Sequence, residues 1–219
     1  MLVVVLESAT PAVTAALARV DAGTVEVVAE RVTVDARAHA ELLAPAVQAV
    51  LAEGGVKPGA LDAIVAGLGP GPFTGLRVGL VTASALSQAL RIPAYGVCSL
   101  DALGWRQPGR TLVATDARRR EIYWAVYSDG RRVEGPGVDT PAAVVAGHRA
   151  DRAVGDGAVR YAMEPGMPAP GEPRFPPAEA LVALAADRIR AGAAGEPLIP
   201  LYLRRPDATL HSGRKSTLQ

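Results

Sequence analysis

The chain has 219 residues, is 49% hydrophobic but only 4% aromatic, and carries a formal net charge of +1. That is enough apolar matter for a substantial core of Val, Leu and Ala, in one large domain or two small ones, while the balanced charge argues against a protein that grips nucleic acid unaided. Cys98 is the only cysteine, which excludes an intrachain disulfide and a cysteine-based zinc site. Lys57 and Lys215 are the only lysines among 23 basic residues, so the positive charge is nearly all arginine. Met1 to Glu7 lacks the basic region and cleavage site of a signal peptide, and no window approaches the roughly 18 apolar residues of a membrane span. A cytoplasmic protein is expected.

Leu2 to Leu6 is a continuous apolar strand closed by Glu7-Ser8-Ala9-Thr10-Pro11. Ala12 to Val20 and Thr24 to Val34 read as strands joined by a hairpin turn at Asp21-Ala22-Gly23. His39 to Glu53 is a helix with Leu42, Leu43, Ala46, Val47, Val50 and Leu51 on one broad face, and Gly54-Gly55 ends it. Ala63 to Ala66 is a strand, Leu76 to Leu90 a helix, Pro93 to Val97 a strand, and a short helix starts at Ser99 or Leu100. The order then begins again. Thr111 to Thr115 is a strand, Asp116 to Arg119 a turn, and Glu121 to Tyr127 a strand, with a hairpin signal at Asp129-Gly130. Thr140-Pro141 opens a helix ending near Gly147-His148. Arg152 to Gly155 is a short strand, Met163 to Pro177 an irregular Pro- and Gly-rich loop, and Ala178 to Ala191 the last helix. Two successive strand–hairpin–strand units, each followed by helix, strand and helix, predict two similarly built α/β lobes, 1–104 and 105–205. Residues 206–219 read as a flexible basic tail, with RNA contact as the other reading.

One run organises the rest: Gly67-Leu68-Gly69-Pro70-Gly71-Pro72-Phe73-Thr74-Gly75-Leu76-Arg77-Val78-Gly79. It lies between a strand and a helix, so it is a strand-to-helix turn, freed by glycine and stiffened by proline. Thr74 is placed to cap the helix. The run is either a rigid packing turn or a phosphate cradle; the spacings of the Walker and Rossmann loops are both absent.

These residues carry a family resemblance. Gly69 to Gly79 is similar to the Gly-Pro-Gly-Ser-Phe-Thr-Gly-x-Arg-x-Gly signature of the TsaB family, also called YeaZ, which serves the bacterial synthesis of threonylcarbamoyladenosine in tRNA. Glu7-Ser8-Ala9-Thr10 resembles its Asp-Thr-Ala-Thr, and His39 opens the first helix as in that family. Asp116 to Ala125 resembles its Asp-Ala-Arg-x-x-Glu-Val-Tyr-x-Ala, and Pro200 to Arg204 its closing Pro-x-Tyr-Leu-Arg. Pro72 replaces the family's serine and Glu7 its aspartate. The resemblance implies the two-lobed fold of actin, sugar kinases and Hsp70 chaperones. In active members of that fold the first strand leads into Asp-x-Gly, serving metal and phosphate, whereas Glu7-Ser8-Ala9 has a longer acid and no glycine. The catalytic paralogue TsaD carries a metal-binding His-x-x-x-His whose positions are here Ser99 and Leu103. His39, His148 and His211 offer no substitute pair at helical spacing.

What the resemblance implies is therefore a catalytically silent subunit that binds TsaD as a heterodimer. TsaD would then transfer the threonylcarbamoyl group to the adenosine 3′ of the anticodon in tRNAs reading codons that begin with A. TsaE would be a further partner, tRNA would be met through the complex, and a homodimer could form in isolation. No intrinsic cofactor or metal is expected, with ATP or ADP at the complex interface. The expected partner-binding residues lie on two first-lobe helices: His39, Leu42, Leu43, Val47 and Val50, then Gly75, Gly79, Thr82 and Ala83. Gly69, Pro70, Gly71, Phe73, Thr74, Gly75 and Arg77 form the signature turn, with Arg77 fixing it. Glu7 and Asp116, at matching strand ends of the two halves, are the candidate cleft acids. The alternatives are a nucleotide-dependent kinase or metallopeptidase-like hydrolase of the same fold, and a homodimeric binding module without TsaD.

Overall fold

A computed structural model describes residues 1–204; the expected tail at 206–219 lies outside the described residues. Among the described residues, ten strands fall into two five-stranded sheets. The first contains β1 (Leu2–Glu7), β2 (Ala12–Val20), β3 (Val25–Val34), β4 (Ala63–Gly67) and β5 (Ala94–Val97) in the order β3-β2-β1-β4-β5. The second contains β6 (Arg110–Asp116), β7 (Ile122–Ser128), β8 (Arg131–Asp139), β9 (Arg152–Val154) and β10 (Pro170–Gly171) in the order β8-β7-β6-β9-β10. Read from the same edge the two orders are identical. In both, an antiparallel meander of three strands is extended by two parallel strands. This duplicated sheet is the actin-like fold that the motif order implied.

The helices are α1 (His39–Glu53), α2 (Phe73–Leu90), α3 (Ser99–Gly104), α4 (Pro141–Gly147), α5 (Asp156–Arg160) and α6 (Ala178–Arg190). Parallel strands need crossovers, and α1 and α2 supply them in the first half, α4 and α5 in the second. β1 is apolar without alternation because both its faces are covered. Val4 and Leu6 face α1 and α2 in one core, and Val3 and Val5 face α6 in another.

The location of α6 corrects the division by sequence. It was counted with the second lobe, yet Ala180, Leu181, Val182, Ala185 and Ile189 pack on the first sheet. Conversely, Leu100 and Leu103 of α3 pack against Val113, Ala125 and Tyr127 of the second sheet. Each half thus lends its last helix to the other sheet, and the two helices touch. A tether reinforces this exchange: the N–H of Leu201 donates to the Leu68 carbonyl (2.9 Å), and Arg204 Nη1 donates to the Ala117 carbonyl (3.0 Å).

Four elements are not legible in the sequence: β8, α5, β10 and a single 3-10 turn at Pro58–Ala60. β8 is an edge strand interrupted by Gly135 and Pro136, with shifted register against β7, so it lacks clean alternation. α5 and β10 are too short to show a period. Among the described residues no helix is long and apolar enough to cross a membrane.

Candidate functional site

The β1–β2 turn and the turn before α2 are sewn together by the candidate acid Glu7 and by the hydroxyls of Ser8 and Ser99. Glu7, at the end of β1, is fully buried. Its Oε1 accepts from the Ala9 N–H (2.5 Å) and its Oε2 from the Ser99 hydroxyl (2.6 Å). The same Ser99 oxygen accepts from the Gly69 N–H (3.1 Å). Burial pushes the Glu7 carboxyl above its usual 4.5, against the opposing pull of the Ser99 and backbone hydrogen bonds. Glu7 is therefore a structural acid, not the open cleft acid expected of it.

Ser8 does something similar to α2. Its hydroxyl donates to the Gly75 carbonyl (2.8 Å) and accepts from the Gly79 N–H (3.0 Å). These are the i and i+4 partners of the helix's own ladder, so the Ser8 oxygen is set into that ladder. The approach explains the small residues of α2. A Cβ on Gly79 would lie 2.4 Å from Ser8 Oγ, and one on Gly75 2.9 Å from the Ser8 carbonyl oxygen and 3.2 Å from His39 Nε2. Gly75 and Gly79 were expected to admit a partner's helix; instead they admit the strand end of their own chain. At Gly71 a Cβ would lie 2.1 Å from the Ala9 carbonyl oxygen, so the signature turn also packs backbone on backbone.

His39 is buried and its Nε2 lies 2.8 Å from the Thr10 carbonyl. A carbonyl only accepts, so Nε2 carries the proton, and His39 pins the start of α1 to the β1–β2 turn. Thr74 does not cap α2. The helix starts at Phe73 with Pro72 in the cap position and no side-chain cap, since proline has no side-chain oxygen to accept from the first-turn N–H groups. Thr74 is instead exposed in a small cleft of about 230 Å³, with Thr10, His39, Gly75, Asp116 and Arg118 among its walls. This is below the roughly 300–1,000 Å³ usual for small-molecule sites.

Asp116 does reach this cleft, so the two candidate acids part company. It is buried to 7% exposure, with Arg160 Nε at 3.7 Å and Arg118 Nε at 4.0 Å from its carboxylate. Its N–H points to Asp156 Oδ1 (3.4 Å). Burial, opposed by that bond and abetted by the Asp116 charge, pushes Asp156 up to about 6. The three residues that follow are unusual: Arg118, Arg119 and Arg120 have φ of 62°, 53° and 62°. Left-handed backbone costs a non-glycine residue about 1–2 kcal/mol. Three in succession persist only where the surroundings hold them. Here the Ala117 N–H donates to the Glu121 carbonyl (3.0 Å) and the Glu121 N–H to the Arg118 carbonyl (2.9 Å), while Arg204 grips the Ala117 carbonyl and pairs with Glu121.

Beside this turn lies a larger groove of about 420 Å³, walled by Pro72, Phe73, Tyr123, Tyr202 and Leu203 with Arg118, Arg119 and Arg204. Phe73 and Tyr202 stack with ring centroids 5.5 Å apart. The Arg77 guanidinium lies 4.2 Å from the Phe73 ring centroid, and its Nε donates to the Tyr202 hydroxyl (3.1 Å). Arg77, which the sequence assigns to fixing the signature turn, lies over Phe73 of that turn and ties it to Tyr202. Tyr202 and Arg204 were legible only as parts of the closing motif, with no hint that they meet residues 125 and 87 positions earlier. Among the described residues, no three His, Cys, Asp or Glu side chains converge to hold a metal ion.

With this geometry in hand, likeness to known proteins becomes informative. The family described as TsaD, tRNA N6-adenosine threonylcarbamoyltransferase, matches residues 26–173. The solved structure of YeaZ from Pseudomonas aeruginosa superposes with a TM-score of 0.75 at 30% identity, over 92% of this chain and 99% of that one. The chain belongs to the TsaB/YeaZ family. An uncharacterised protein of Mycobacterium tuberculosis is 51% identical over 208 residues, 94% of this chain and 93% of the relative. The TsaB of Escherichia coli is 38% identical over 96 residues, 42% of each chain.

For a TsaB-family chain the outer faces of α1 and α2 are the remaining question. Leu43, Val47 and Val50 are in the core, Leu43 at 1% exposure, and Leu42 packs against it. Ala83 is buried with them and Thr82 is half-buried. The breadth of the apolar face on α1 thus reflects sheet packing and not a free surface. What α2 does present is Val81, 65% exposed, in a shallow depression with Arg77, Ser84, Ala85, Leu198 and Pro200.

Proposed function

We propose that this chain is a non-catalytic subunit in the synthesis of threonylcarbamoyladenosine in tRNA, and that it binds TsaD and favours its competent state. Membership of the TsaB/YeaZ family supports the pathway. The sealed first turn carries the non-catalytic half of the reading. Where active members of this fold present an acid and a glycine to metal and phosphate, Glu7 is turned inward onto Ala9 and Ser99. The cleft left over is small, about 230 Å³, and the Asp116 carboxylate at its wall already lies beside Arg118 and Arg160. A volume below that usual for small-molecule sites supports a reading in which this cleft holds no nucleotide. In this reading ATP or ADP enters at the interface of the complex and not within this chain.

In this reading TsaD docks on the outer face of α2, in the depression that Val81 shares with Ala85, Leu198 and Pro200. The effect on TsaD is a population shift, which requires tighter binding to its competent state than to its others. TsaE joins that complex, tRNA is met through it in the cytoplasm, and the same face pairs two copies when TsaD is absent. The test is light scattering after size exclusion, on this chain mixed with TsaD from the same organism. Wild type forms the complex and Val81→Arg, still folded by circular dichroism, loses it. A complex that survives Val81→Arg moves the interface elsewhere; no complex with TsaE and nucleotide present removes the reading. ATP hydrolysis by the lone chain would favour a kinase-like enzyme.

A further inference from the structure

We propose that residues 193–204 act as a strap whose seating both completes the docking face on α2 and holds the arginine turn, so that docking steadies a turn in the other half of the chain. This deepens the subunit reading and rests on it only for the identity of the docking partner.

The strap follows α6 and carries no helix or strand of its own. Its first part is tied to the edge of the first sheet. The Tyr95 hydroxyl donates to the Ala193 carbonyl (2.6 Å), and the Glu196 N–H donates to the Ala94 carbonyl (2.9 Å) of β5. Its middle belongs to the docking face. Leu198 and Pro200 wall the depression together with Arg77, Val81 and Ala85 of α2, and Ile199 between them is 67% exposed. Its last part crosses to the second half. The Tyr202 hydroxyl accepts from Arg77, a residue that also lines the depression. Leu203 packs in the core between α3 and the second sheet, and Arg204 donates to the Ala117 carbonyl and pairs with Glu121.

Two opposed effects make seating an equilibrium. A segment with few backbone bonds opens more easily than the sheets it crosses. Lifting it also releases Ala117 and Glu121, which lets the three left-handed arginines relax. Against this stand the packing of Leu198 and Leu203, the Leu201 bond to Leu68 and the hold of Arg204. A partner in the depression meets Leu198 and Pro200 only when the strap is seated, so it binds that state more tightly and shifts the population towards it. The coupling is reciprocal: loosening Arg204 weakens docking at a face it does not line, and loosening Pro200 frees a turn it does not touch.

The experiment is amide exchange by NMR on the lone chain, read at the N–H groups of Leu201, Ala117 and Glu121 with those of β2 as reference. Arg204→Gln should speed exchange at all three at least about tenfold, as the loss of a charged hydrogen bond requires. Pro200→Gly, which favours the lifted strap through chain entropy, should speed all three about two- to fivefold. The β2 amides should not change in either variant. A turn unmoved by Pro200→Gly, a Leu201 amide unmoved by Arg204→Gln, or β2 amides that speed equally overturns the proposal. Titration with TsaD then measures the coupling. Arg204→Gln should weaken the complex at least about fivefold, and the complex should slow exchange at Glu121; an unchanged affinity overturns the coupling. Failure of wild type to bind TsaD removes the subunit reading instead, and the strap then stands or falls on exchange in the lone chain.

Discussion

The turn after β1 and the turn after β6 occupy the same place in two copies of one topology, and they have opposite characters. The first is closed: Glu7 and Ser8 point into the protein and tie three segments together. The second is open and strained, with Arg118, Arg119 and Arg120 exposed on left-handed backbone. Duplicating a sheet repeats where its turns fall but not what they do. The closed turn is rigid, since its buried polar groups are satisfied internally. The open turn accepts backbone strain and leaves its three arginines exposed.

The comparison can be broken most forcefully at Gly71. Gly71→Ala drives a Cβ to 2.1 Å from the Ala9 carbonyl oxygen, and backbone has nowhere cheap to move. A loss of about 3 kcal/mol in urea unfolding is expected; a loss under about 1 kcal/mol would mean the closed turn is plastic. Ser8→Ala follows, removing the hydroxyl set into α2. A loss of about 2 kcal/mol is expected if the Gly75 carbonyl and Gly79 N–H are left wanting, and almost none if the helix ladder closes over the gap.

Arg119→Gly sharpens the other side, because glycine adopts the left-handed region freely. It should raise stability by about 1 kcal/mol in urea unfolding. A destabilised variant would show that the turn is structural after all. The last expectation concerns a slope and not an offset. Burial raises the Glu7 pKa, so the folded state holds that proton more tightly than the unfolded state. Its contribution is full below about 4.5 and is lost as pH rises through the folded value. The stability difference between Glu7→Gln and wild type should therefore move in favour of the variant as pH rises across that window. A difference independent of pH would show that Glu7 titrates normally.

Much of the fold was legible because its signals are local. The continuous apolar run Leu2 to Leu6 declares a strand covered on both faces, and the Thr140-Pro141 cap is confirmed by Thr140 Oγ1 accepting from the Ala143 N–H (3.3 Å). The doubled order of elements could be counted along the chain. The site was less legible. Leu43 and Val47 have the pattern of a helix face, and a pattern alone does not say whether a sheet or a partner covers it. Gly75 and Gly79 show that something approaches closely, without showing that it is Ser8.

By itself, then, the sequence determined the family, the two repeated sheets and the turns between their elements, because strand periodicity, caps and glycine positions act over a few residues. Only the tertiary structure decided that α3 and α6 change sheets, that Glu7 faces inward while Asp116 faces the cleft, and that Tyr202 returns to Phe73. Those outcomes depend on which distant surfaces meet, and on the requirement that each buried polar group find a partner there.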